Sequence, residues 1–114
     1  MDLAEIRDVY DQLINSFTEV ELKGKTMHYT SMNGNMFSFV SKDGEMGFRM
    51  TEEDKSHYII NAGAREMLQH NRVMNGYIQV TETMISNPEK LNEIFVKSIA
   101  FAKTLKPKTT KKRK

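Results

Sequence analysis

The chain has 114 residues, a formal net charge of +2 and no cysteine. One domain is the expected content at this length, large enough to bury a core without disulfides or metal. The missing cysteines exclude a disulfide framework, a thiol nucleophile and every cysteine-based zinc or iron–sulfur site.

The charge is unevenly placed. Lys106, Lys108, Lys111, Lys112, Arg113 and Lys114 stand at the end of the chain with no acid among them, leaving 11 basic and 15 acidic residues before Lys106, a body charge of −4. The start, Met1-Asp2-Leu3-Ala4-Glu5-Ile6-Arg7-Asp8, has neither the positive beginning nor the apolar run of a signal peptide. With no apolar run near the roughly 20 residues of a membrane span, a cytoplasmic protein without membrane contact is expected.

Leu3, Ile6, Tyr10, Leu13, Ile14 and Phe17 recur at steps of three and four, which predicts an amphipathic helix. Asp2 as N-cap and Glu5 three residues on supply a capping-box start. From Val20 to Met50 the period falls to about two. A strand is expected around Lys25 to Thr30, and Asn33-Gly34 is a turn signal because both residues tolerate positive φ. The runs Met36 to Ser41 and Glu45 to Met50, joined through Lys42-Asp43-Gly44, predict a hairpin, with Phe37, Phe39, Met46 and Phe48 sharing a buried face if the register permits.

Thr51 as N-cap, followed by Glu52, Glu53 and Asp54, opens a second helix with Tyr58, Ile59 and Ala62 inward and Gly63 at its end. Arg65 to Val73 follows neither period. Asn75-Gly76 marks another turn and Tyr77 to Val80 a strand. Asn87-Pro88 starts the last helix, whose apolar stripe is Leu91, Ile94, Phe95, Ser98, Ile99, Ala102 and Leu105 before Pro107 stops it. The sum is an α+β domain over residues 1–105. A small antiparallel sheet, a three-stranded meander plus a further strand or hairpin, packs with amino- and carboxy-terminal helices. Residues 106–114 form a basic tail expected to be disordered.

Several phrases occur together in this order: Lys25-Thr26-Met27, Gly34-Asn35-Met36-Phe37, Phe48-Arg49-Met50, Gly76-Tyr77-Ile78-Gln79-Val80 and Ala100 to Pro107. The set resembles the TfoX N-terminal domain family, also called TfoX/Sxy-like, over about Asp2 to Pro107. That resemblance implies a compact α+β fold and the regulatory context of bacterial competence, in a short stand-alone form. His28-Tyr29-Thr30 departs from the Phe-Gly-Gly that members often carry there. The family places no catalytic residue on this chain.

Catalytic and metal chemistry find little footing in the residues themselves. His28, His57 and His70 have no i, i+2 or i, i+4 partner histidine, so ordinary histidines are expected. Met27, His28, Met32 and Met36 would suit Cu(I), but methionine as filler of an irregular core is the stronger expectation. No serine lies in a Gly-x-Ser-x-Gly elbow. Glu52 and Glu53 are explained by a helix start, and no glycine-rich phosphate loop is present. No cofactor and no enzymatic activity are expected.

Two features invite binding. Gln69-His70-Asn71-Arg72, placed beside Tyr77, offers four hydrogen-bonding side chains and an aromatic to a peptide or nucleotide, against the plainer reading of a solvated connection. The six tail cations offer salt-dependent contact with nucleic acid, against a role in solubility alone. A regulatory or interaction module with a protein partner is the favoured reading, and a nucleic-acid accessory protein the alternative.

Overall fold

The structure is a computed structural model that describes residues 1–107. Helix α1 spans Leu3–Asn15. The Asp2 carboxylate accepts from the Glu5 N–H at 2.9 Å, and the Glu5 side chain accepts from the Asp2 N–H, closing the capping box. Strand β1 is His28–Met32, β2 Asn35–Val40 and β3 Met46–Arg49. They form the expected antiparallel meander, turning first at Asn33-Gly34 with φ of 54° and 83°.

The first strand starts later than the sequence suggests. Lys23 folds back to exchange two backbone hydrogen bonds with Tyr29, at 2.9 and 3.0 Å. Residues 24–27 become a tight connection in place of extended chain. Gly24 makes it possible: its φ is 92°, and a Cβ there would overlap the Met27 carbonyl oxygen at 2.0 Å.

Helix α2, Glu52–Ala62, is capped by Thr51 and ends at Gly63 with φ 81°. Next come β4, Arg65–Gln69, and β5, Arg72–Gln79. These replace the ambiguous segment with a hairpin that reverses at His70 and Asn71, both at positive φ (54° and 64°), as two-residue hairpin turns require. Asn75-Gly76, expected to be a turn between elements, lies inside β5 as an irregularity. Between Glu66↔Ile78 and Leu68↔Val73, β4 advances two residues while β5 advances five. Gly76 at φ 85° takes up the excess. The sheet order is β1-β2-β3-β5-β4, so β1 and β4 are its edges. A short helix α3, Glu82–Ile85, precedes α4, Pro88–Ala102, where Asn87 accepts from the Lys90 N–H.

All four helices contribute to one core on one face of the sheet. Phe95 sits at its centre, edge-on to Phe17 and Phe48 with centroids at 5.0 and 5.9 Å and stacked on Phe37 at 5.9 Å. Leu91, Ile94, Phe95, Ser98, Ile99 and Ala102 are all buried, as the periodicity requires. A polar thread crosses the core without orphaned groups: Tyr10 Oη bonds Ser38 Oγ at 2.7 Å, and Ser38 bonds Thr30.

The expected common face of four residues is not formed. Phe37, Met46 and Phe48 face the helices, whereas Phe39 packs on the opposite side with Met67 and Tyr77. The β1–β2 register shifts between Thr30 and Ser31, leaving Phe37 as an extra residue on β2. Such a bulge breaks the alternation and turns Phe37 and Ser38 to the same side.

No helix among the described residues is long and apolar enough to cross a membrane. Phe95→Ala should cost about 3–5 kcal/mol, measured as a lowered urea midpoint. An unmoved midpoint would show that α4 does not close the core.

Candidate functional site

The face turned away from the helices carries its own small cluster. Phe39, Met67 and Tyr77 are buried there, flanked by half-buried Met27, Tyr29, Met36 and Met74. Gly47 provides the room, because a Cβ at that position would press on Phe39 at 3.1 Å and Met67 at 3.2 Å. The bent β4–β5 hairpin covers this cluster. Its tip, Leu68 to Asn71, forms one wall of a groove of about 630 Å³. The opposite wall is Thr26, Met27 and the turn from Ser41 to Glu45.

That second wall is held firmly. Ser41 Oγ accepts from the N–H groups of Asp43 and Glu45, at 3.2 and 3.1 Å, and donates to the Glu45 carboxylate at 3.1 Å. Lys42 and Asp43 are exposed beside it. The groove is therefore open and of mixed charge, with apolar Met27 and Leu68 among its polar side chains.

Gln69, His70 and Asn71, singled out in the sequence, line this groove, and Arg72 stands exposed just outside it. Tyr77 does not join them. It is 5% exposed beneath the hairpin, and its hydroxyl donates to the Met36 carbonyl at 2.8 Å. The β5 irregularity turns Tyr77 inward, and burial pushes its phenol up to about 12, against the opposing influence of Arg49. Burial raises Tyr10 further still. In Tyr58, burial and the hydrogen bond to Glu93 act the same way; that bond, at 2.6 Å, holds Glu93 below the usual carboxylate range.

Two apolar residues that fit neither sequence period complete the surface. Leu68 and Val73 are a directly opposed cross-strand pair, exposed at 45% and 47%. Their symmetric placement about His70-Asn71 is the signal that would have identified the hairpin. Leu68 lies on β4, whose outer edge has no strand beside it among the described residues. The Gln69 side chain donates to the Leu68 carbonyl at 2.9 Å, a local cap on an otherwise open edge.

The methionine and histidine stretch does not converge. Met27 and Met36 lie in the second cluster, while Met32 packs on the helix side. His28 Nδ1 is 2.7 Å from the Asp11 carboxylate. His57 bonds Asn61 on α2, far from His70 in chain order. Among the described residues no group of three or more His, Asp or Glu side chains is gathered for a metal.

Of the six tail cations only Lys106 is described; it is exposed, and its carbonyl accepts from the Asn35 side chain at 2.8 Å. Lys108, Lys111, Lys112, Arg113 and Lys114 lie outside the described residues. The chain matches no family model, no curated protein and no solved structure.

The tyrosines make a testable contribution to alkaline stability. Unfolded tyrosines ionise near pH 10, whereas Tyr77 in the fold holds its proton to about 12. The folded state binds the proton more tightly, so stability is intact below pH 10 and falls as pH rises toward 12. Urea midpoints should drop over that window, less steeply in Tyr77→Phe. A midpoint constant from pH 9 to 11 would contradict the burial of these phenols.

Proposed function

We propose that the chain is a non-enzymatic interaction module, of the regulatory type that the TfoX N-terminal resemblance implies, which docks an extended segment of a protein partner along β4. The observation that carries this reading is the exposed Leu68–Val73 pair beside a sheet edge that no described strand pairs. Backbone groups on the edge supply hydrogen bonds to an added strand, and the apolar pair supplies contact area. Gln69 releases the Leu68 carbonyl when the strand arrives. The neighbouring groove takes the partner's polar side chains.

The test uses two variants, Leu68→Lys and Val73→Lys, with affinity capture from the native cell and quantitative mass spectrometry. Both residues face solvent, so stability should stay within about 0.5 kcal/mol of the parent. The partner captured by the parent chain should be lost from both variants. Equal capture by parent and variants would sink the docking edge.

The segregation of charge favours a second reading, in which the tail brings the domain to nucleic acid. Six cations without an acid follow a body of charge −4. Deleting Lys108 to Lys114 removes five cations, and should flatten the plot of log affinity against log salt by about 4 to 5. No binding by the full chain at low salt would end this reading; unchanged binding after deletion would move the contact to the folded body.

A further inference from the structure

The β4–β5 hairpin carries two different faces beside the edge that no described strand pairs. Alternation along β4 puts Arg65, Met67 and Gln69 on one side and Glu66 and Leu68 on the other. Buried neighbours fix which side is which. Met67 packs with Phe39 and Tyr77 on the face away from the helices, whereas Glu66 reaches Lys55 of α2. Directly opposed residues share a face. Arg72 therefore joins Gln69 on the first side, and Val73 joins Leu68 on the second.

The first side is cationic. Arg65 and Arg72 are exposed, and among the described residues neither meets a carboxylate. Glu66 is the single acid in either strand, and it is already paired with the nearly buried Lys55. Arg65, Arg72 and Lys55 against Glu66 sum to a local charge of +2, on a body that carries −4 before Lys106. The acids nearest the hairpin tip, Asp43 and Glu45, belong to the opposite wall of the groove, and Glu45 is held by Ser41. The second side is apolar where it is exposed, at Leu68 and Val73.

We infer that the segment received by β4 alternates acidic and apolar side chains. An added strand continues the pleat of the sheet, so its successive residues fall on opposite faces. Acids opposite Arg65 and Gln69, four positions apart, lie on the arginine side. The first meets Arg65 directly. The second stands two strand spacings from Arg72, about 9–10 Å, within the combined reach of two long side chains. The residue opposite Leu68 falls on the other face and is apolar, closing over the Leu68–Val73 pair. Exposed arginines attract such acids and repel lysine in their place, which selects one extended segment from others of equal hydrophobicity. The inference rests on the docking edge proposed above and names the chemistry of the strand that edge takes.

The probes are acetyl-Thr-Glu-Val-Val-Val-Glu-Thr-amide and its counterpart with lysine at both acidic positions. Each reads the same in both directions, so either strand orientation is served. They are titrated at low salt into the full-length, isotope-labelled chain and followed at the backbone amides of β4. Reading at β4 separates edge binding from contact with the basic end of the chain. The acidic peptide should bind at least about tenfold more tightly, with the margin shrinking in added sodium chloride. Arg65→Glu combined with Arg72→Glu should reverse the preference; both side chains are exposed, so the fold is kept. Leu68→Ser should weaken both peptides. Equal affinity of the parent for the two peptides, each weakened in Leu68→Ser, would overturn the acidic selection and leave the docking edge standing. A preference unchanged in the double arginine variant would also overturn it. Absence of shifts at β4 with either peptide would overturn the inference together with the edge.

Discussion

The extra residue in β2 is the constraint on which the rest of the structure depends. A regular strand sends alternate side chains to opposite faces, and Met36 to Val40 supplies apolar residues at four of five consecutive positions. Without the bulge, Phe37 and Phe39 would share a face and one cluster would lose one of its aromatics. With it, Phe37 and Val40 feed the helix-covered core while Met36 and Phe39 feed the cluster under the hairpin. The bulge presents the Phe37 carbonyl, and the end of β3 the Arg49 carbonyl, to helix α4. Ser98 meets them, donating toward Phe37 at 3.1 Å and Arg49 at 2.6 Å. A hydroxyl in the middle of an apolar helix stripe is thus the partner of a kink in the sheet.

The second cluster makes the hairpin part of the fold rather than a loose arm. Met67 reaches Phe39 over Gly47, and Tyr77 meets Phe39 edge-on at 5.7 Å. On the helix side Lys55, almost fully buried, pairs with Glu66 at 2.5 Å and fixes the start of β4 against α2. The hairpin is therefore clamped at its base from both sides. Its tip remains free to present Leu68, Val73 and the groove.

The legible parts of the fold were those with local causes. Asp2 with Glu5, Thr51 with Gly63, and Asn87-Pro88 each carry the chemistry of a helix end within a few residues. The meander announced itself through Asn33-Gly34 and Asp43-Gly44. The hairpin did not, because its turn is His70-Asn71 without glycine, while Asn75-Gly76 imitates a turn inside β5. Nor could the sequence place Phe39, since a bulge is a property of pairing between strands. The candidate site divides in the same way. Gln69 to Arg72 stood out as a polar cluster, but the exposure of Leu68 and Val73 depends on a register unknown beforehand.

The bond from Ser98 to Phe37 spans 61 residues and that to Arg49 spans 49. Both satisfy groups that the early strands leave open. During synthesis the meander emerges well before α4, so these two carbonyls must wait in water and its core-facing rings must wait without Phe95. Closing loops of that size costs chain entropy before any packing is returned. The sheet and the last helix thus complete each other: the strands' open carbonyls and buried rings find their partners only on the last element of the fold to be synthesised.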